Sequence, residues 1–215
     1  GLAQLGFESW TTEQGLAGNW VTDIAETPDG FLWIATSGGL SRFDGRQFRN
    51  FTAVDHAELP TSQVTALAVG TEGKLWIGFE TGGVRVLREG RIATDPRFAA
   101  LPPAPVASLV VDSEGTLWVG TEKGLFRATS SGLENVAPSM RERSAEIRRL
   151  NRAPEGGIWV RTRLDGIWRA RRESATRIED APECIGHDIS ELADGRLVTT
   201  CASTISSSSQ TMVPI

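Results

Sequence analysis

An all-β fold assembled from one antiparallel unit, repeated along the chain, is predicted by three observations. Trp33, Trp76, Trp118 and Trp159 each follow a glycine by three residues and recur every 41 to 43 residues. The surrounding text is nearly constant: Asp29-Gly30-Phe31-Leu32-Trp33-Ile34-Ala35-Thr36, Glu72-Gly73-Lys74-Leu75-Trp76-Ile77-Gly78, Glu114-Gly115-Thr116-Leu117-Trp118-Val119-Gly120-Thr121 and Glu155-Gly156-Gly157-Ile158-Trp159-Val160. A fifth, weaker copy, Asp194-Gly195-Arg196-Leu197-Val198, follows at a spacing of 39 with Val198 in the tryptophan place. A period near 42 with turn glycines and alternating apolar residues marks propeller blades or a solenoid rather than separate domains. Five such units use almost all of the 215 residues, so the chain reads as one array.

The first unit parses most clearly. Val21 to Thr27 reads as a strand, Asp29-Gly30 as a two-residue hairpin turn, and Phe31 to Thr36 as a second strand rich in aromatic and β-branched residues. Ser37-Gly38-Gly39 turns the chain, Leu40 to Phe43 forms a third strand, Asp44-Gly45 turns it again, and Gln47 to Thr52 forms a fourth. Four-stranded antiparallel meanders packed radially about an axis make a β-propeller, in which each sheet covers its neighbour on both faces. The expected units are 21–52, 64–95, 106–137, 147–180 and 189–215. The glycine column supplies positive φ at the hairpin and the tryptophan column a large plate for the adjacent blade, which is a packing role.

The ends of the chain bear on ring closure. Phe7-Glu8-Ser9-Trp10-Thr11 resembles the fourth strand Phe48 to Thr52, so a strand over 5–11 is expected to complete a C-terminal blade and remove exposed sheet edges. The start at Gly1, without an initiator methionine or a basic and apolar leader, reads as a processed or excised product.

Composition sets further bounds. With 23% charged and 40% hydrophobic residues the chain is expected to bury a core. Its most apolar stretch, Phe98 to Val111, is broken by Pro102, Pro103 and Pro105, so this segment is not expected to insert into a membrane. The net charge of −5 argues against general nucleic-acid binding, yet it is uneven: Arg141 to Arg177 holds eleven arginines against five acidic residues, leaving −11 on the rest.

Strand order places the tight first-to-second and third-to-fourth turns on one face. The second-to-third turns and the longer blade connections gather on the opposite face, called here the loop face, where binding residues usually sit. Cys184 and Cys201 both fall on it at the fifth unit. They read either as a disulfide, which would imply an oxidising compartment, or as two buried free thiols. Neither His56 nor His187 has a ligand set around it, and no metal site is expected.

At this point the residues themselves carry a resemblance. Trp10-Thr11-Thr12-Glu13-Gln14-Gly15-Leu16, then Val21, Ile24, Asp29 to Thr36, Gly39-Leu40-Ser41-Arg42-Phe43-Asp44-Gly45 and Phe48, is similar to the two-component regulator propeller repeat. The similarity runs from residue 5 to about 200, strongest in the first three units and weakest in the fifth. It implies an extracytoplasmic, periplasmic sensor region of a bacterial histidine kinase, hybrid regulator or diguanylate cyclase. Such regions are mostly seven-bladed rings, often paired, attached to a membrane span and an output domain. These residues depart from that pattern in showing five units and no phosphoacceptor region, nucleotide site or cyclase motif, so no enzymatic activity and no cofactor is expected of them.

Candidate binding residues emerge from aligning the inner strands. Between the apolar pairs Val21 and Ile24, Val64 and Leu67, Val106 and Leu109, Ile147 and Leu150, and Ile189 and Leu192 stand Thr22-Asp23, Thr65-Ala66, Ala107-Ser108, Arg148-Arg149 and Ser190-Glu191. The fourth unit alone places two arginines there, and Arg141, Arg143 and Arg163 are assigned to the same face. With Trp20 as a stacking plate or a plug in the channel and His187 nearby, one reading of this set is a site for an anionic ligand such as a carboxylated or sulfated sugar, because guanidinium forks donate paired hydrogen bonds. The alternative pairs Arg149 with Glu191 and Asp23 and leaves the other arginines solvated. The function expected is ligand sensing without catalysis. A protein-interaction platform on the loop face or the basic fourth unit, including a homodimer, is the second reading. A propeller lyase or hydrolase is a third, but it lacks convergent acid and base groups.

Overall fold

The computed structural model describes residues 8–136, 146–164, 166–172, 174–178, 189–192, 196–202 and 208–213. Blade I comprises β1 (Val21–Glu26), β2 (Leu32–Thr36), β3 (Gly39–Phe43) and β4 (Phe48–Phe51). Blade II comprises β5 (Val64–Val69), β6 (Leu75–Phe79), β7 (Val84–Arg88) and β8 (Arg91–Thr94). Blade III holds β9 (Val106–Val111), β10 (Leu117–Thr121), β11 (Gly124–Ala128) and β12 (Leu133–Asn135), and blade IV holds β13 (Ile147–Arg152), β14 (Ile158–Thr162), β15 (Ile167–Arg171) and β16 (Ser174–Arg177). Each is a four-stranded meander in sequence order. Blade V is described as three strands, β17 (Ile189–Glu191), β18 (Leu197–Ala202) and β19 (Ser208–Val213). The inner strands β1, β5, β9 and β13 lie side by side, each against the next, which is the radial arrangement of a β-propeller.

The hairpin between the first two strands of a blade is one residue longer than expected. Thr27 N–H donates to Phe31 O and Gly30 N–H to Thr27 O, so the loop is the three residues Pro28, Asp29 and Gly30 rather than two. Gly30 sits at φ 83°, the left-handed position that closes a three-residue hairpin. The same pair of bonds recurs at Asp112 with Thr116 and Gly115, and at Ala153 with Gly157 and Gly156.

Among the described residues, packing is concentrated in the seams between blades. Trp33, Ala35 and Leu40 of blade I meet Val64 and Leu67 of blade II. Trp76, Val84 and Val86 meet Val106 and Leu109, and Trp118 and Leu125 meet Ile147 and Leu150. The fourth seam is smaller: Ala153, Trp159 and Ile167 meet Leu197.

Glycine makes the close approach possible. A Cβ on Gly78 would lie 2.6 Å from Val106 Cγ1, and one on Gly120 would lie 2.5 Å from Ile147 Cγ2. The corresponding residue in blade I is Ala35. In blade IV it is Arg161, only 1% exposed.

Two expectations require correction. Residues 8–11, the described part of the strand expected over 5–11, form no strand; Trp10 instead packs on Phe43 of blade I, with ring centroids 5.2 Å apart. Blade V is also out of register with the alignment drawn from sequence. Glu191 pairs with Leu197 as Glu26 pairs with Leu32, and Leu192 N–H donates to Arg196 O as Thr27 N–H donates to Phe31 O. Ile189 therefore corresponds to Ile24, and Ser190-Glu191 lie toward the hairpin turn, not at the Thr22-Asp23 level. Counting back from the hairpin, where the geometry is fixed, gives this register; matching apolar pairs does not.

Candidate functional site

The segment before β1 is built to carry one aromatic side chain onto the loop face. Thr11 caps a short 3₁₀ turn, Thr12–Gln14, in a reciprocal capping box with Gln14. Thr12 N–H donates to Asn19 Oδ1 at 2.8 Å, Ala17 N–H to Ser41 Oγ at 2.9 Å, and Asn50 Nδ2 to Gly15 O at 3.0 Å. The segment is thereby tied across β3 and β4. Gly38 permits the final approach, because a Cβ there would lie 2.2 Å from Ala17 O. Ser37 N–H then donates to Trp20 O at 3.1 Å, and the Trp20 side chain stands 74% exposed.

That last bond recurs around the face. The residue before each inner strand and the residue after each second strand form rim pairs: Trp20 with Ser37, Gln63 with Glu80 (Glu80 N–H to Gln63 O, 3.1 Å), and Glu146 with Arg163 (Arg163 N–H to Glu146 O, 2.9 Å). Pro105 and Glu122 hold the matching places in blade III. Trp20, Thr22, Ser37, Gln63, Thr65 and Glu80 line a cleft of about 470 Å³ between blades I and II. The cleft thus joins the first two rim pairs.

A β-bulge at the start of each inner strand sets the side chains below the rim. The ladder skips one residue between Val21 and Asp23, Val64 and Ala66, Val106 and Ser108, and Ile147 and Arg149. The bulged threonines reach sideways: Thr22 Oγ1 donates to Val64 O and Thr65 Oγ1 to Val106 O, each at 2.7 Å. The next side chains do the same toward backbone donors, with Asp23 Oδ2 accepting from Leu67 N at 2.8 Å and Ser108 Oγ from Leu150 N at 3.1 Å. Thr22, Asp23, Thr65 and Ser108 are therefore stitches between blades. Burial raises the Asp23 carboxyl above the usual aspartate value, opposed by the N–H of Leu67, the charge of Arg149 and the N–H of Ile24.

Of the expected arginine set, the described members Arg148 and Arg163 both meet Glu146. Arg148 Nη2 lies 2.5 Å from Glu146 Oε1, and Arg163 Nη1 lies 3.1 Å from the same oxygen. Arg149 acts on Asp23 through its charge from across the inner strands. Glu191 is elsewhere: its Oε2 accepts from Trp159 Nε1 at 2.6 Å and lies 4.0 Å from Arg169 Nη1, with Arg169 Cζ 4.5 Å from the Trp159 ring centroid. Arg141, Arg143, His187 and Cys184 lie outside the described residues, as does the side chain of Cys201, whose backbone falls on β18.

Sequence reasoning missed Glu146, Glu80, Gln63 and Arg161. The first three were detectable as a column, since each immediately precedes an inner strand or follows a second strand. Arg161 was detectable as the departure from Ala35, Gly78 and Gly120. No three His, Cys, Asp or Glu side chains gather as a metal site among the described residues, and no described helix is long and apolar enough to cross a membrane.

The fold is a β-propeller with a cleft at the rim of its loop face. Residues 15–38 and 100–123 match the family model described as two component regulator propeller. No curated protein matches the chain. Among solved structures it is similar to the extracellular domain assigned to a hybrid two component system of B. thetaiotaomicron, with 21% identity, a TM-score of 0.68 and coverage of 86% of this chain and 26% of that one. It thus spans about a quarter of that domain. It is similar also to virginiamycin B lyase from Staphylococcus aureus, with 16% identity, a TM-score of 0.69 and coverage of 91% and 70%. A third likeness is to YCF48 bound to D1 peptide, with 17% identity, a TM-score of 0.62 and coverage of 85% and 62%. At these identities the likenesses speak to the fold.

Proposed function

We propose that the chain is a non-catalytic, extracytoplasmic ligand-sensing module of a bacterial signal-transduction protein, and that the Trp20 cleft on the loop face receives the ligand. The observation that carries this reading is Trp20 itself, a largely exposed aromatic plate at a rim position where the other blades hold Gln63, Pro105 and Glu146. The repeat does not need it for packing. The likeness to an extracellular domain of a two-component system supports the setting, and the engagement of Asp23 by two backbone donors speaks against a free catalytic base there. In mechanism, an occupant bridging blades I and II favours one arrangement of the two and so biases whatever output the propeller is joined to.

An acidic sugar at the fourth blade, the partner expected from the arginines, would have to displace Glu146 from Arg148 and Arg163. Thermal unfolding against neutral, acidic and amine-bearing small ligands tests the reading, since a compound that binds only the folded state raises the midpoint. A rise that disappears in Trp20→Ala supports the cleft; a rise that survives Trp20→Ala but disappears in Arg163→Ala returns the site to blade IV. A protein-interaction role is the second reading, favoured by Val21 and Ile24, which are 42% and 56% exposed on blade I.

A further inference from the structure

We infer that the cleft between blades I and II takes an organic cation, an ammonium or guanidinium group stacked on Trp20 and paired with Glu80. This rests on the cleft being the ligand site. Its lining is an aromatic face with acceptors around it. No lysine, arginine or histidine lines it, and Glu80, exposed at the rim, makes no ion pair among the described residues. The hydroxyl protons of Thr22 and Thr65 are spent on Val64 O and Val106 O, so both oxygens offer only lone pairs to an occupant. The backbone donors at the rim, Ser37 N–H and Glu80 N–H, are likewise spent on Trp20 O and Gln63 O. The donors left are neutral: the Trp20 indole, the Gln63 amide and the Ser37 hydroxyl. An anion would meet no charged donor, whereas a cation meets a π-face and a carboxylate together, the combination that recognises ammonium and guanidinium groups. The long-range field agrees, because the chain outside Arg141 to Arg177 carries a net −11.

Isothermal titration of the chain with choline, N-acetylarginine amide, glucose and glucuronate tests this. Expected is saturable binding of choline or N-acetylarginine amide, weakened at least about tenfold by Trp20→Ala and by Glu80→Gln and weakening as salt is raised. Trp20→Phe should keep part of the affinity. The two cations differ in the group presented, so their ranking separates an ammonium ligand from a guanidinium one. Binding of glucose or glucuronate in a Trp20-dependent way, without the cations, overturns the cation assignment and leaves the ligand-sensing reading standing. Cation binding unchanged in both variants overturns the site. No binding by any probe, together with no Trp20-dependent thermal shift in the wider panel, overturns both.

Discussion

The repeated tryptophans do not all solve the same problem in the same way. A buried indole N–H needs an acceptor. Trp33 Nε1 donates to Thr27 Oγ1 at 3.0 Å and Trp118 Nε1 to Asp112 Oδ2 at 2.8 Å, in each case to the side chain six residues earlier. In blade IV that place is Ala153, and Trp159 turns to Glu191 of the next blade. The column of tryptophans was readable in the sequence because bulk recurs visibly; the acceptor column was not, since Thr27, Gly70, Asp112 and Ala153 share no residue type. Asp23 offers a test at this scale. Its carboxyl titrates above the usual aspartate value of 3.8 mainly because burial disfavours the charge. The folded state then holds the proton more tightly than the unfolded state, so the stability this group contributes is present below its unfolded pKa and is lost as pH rises through the folded one. Asp23→Asn keeps an oxygen for Leu67 N–H and cannot ionise. Denaturant midpoints of the two proteins should therefore diverge in favour of Asp23→Asn as pH rises above about 4.

Within a blade, the inner strand does two jobs at once, and the bulge is what permits it. The extra residue breaks the alternation, so consecutive side chains point to the neighbouring blade rather than one to each face. Strict period-2 reading of Thr22-Asp23 would send one of the pair into the channel, which is why Asp23 stood among the candidate ligand contacts. Strand count, order and the turn glycines were all legible, because each rests on local chemistry. The role of Gly78 and Gly120 was not, since the atoms they make room for belong to another blade. Gly120→Ala should cost on the order of 1–3 kcal/mol by overpacking against Ile147. Ile147→Val in the same chain should recover part of that loss, and urea midpoints of the two single variants and the double variant measure it. Additive losses would mean that the two side chains do not compete for one space.

Across the whole molecule, stability is distributed along the seams, as in other repeat proteins where each unit contacts only its neighbours. The apolar pair that opens each inner strand records whether a seam is filled. Val64, Val106 and Ile147 are all 0% exposed, and Leu67, Leu109 and Leu150 at most 5%, whereas Val21 is 42% and Ile24 56% exposed. The leading face of blade I is therefore an uncovered seam surface whose side chains match those that neighbouring blades cover elsewhere. The chain at rising concentration should associate through it, seen as a concentration-dependent sedimentation coefficient, and Ile24→Glu should suppress the association with little change in the unfolding midpoint. Unchanged association in Ile24→Glu would place the contact elsewhere. The seam between blades IV and V is of another kind, with buried Arg161 where its counterparts have Ala35, Gly78 and Gly120, and with Trp159, Arg169 and Glu191 joined beside a small apolar cluster. Seen as a vocabulary of joints, blades I to III end in one kind of surface, with a small residue, Ala35, Gly78 or Gly120, where the next inner strand packs. Blade IV ends in a surface that engages an acid of its successor, Glu191, through Trp159 and Arg169.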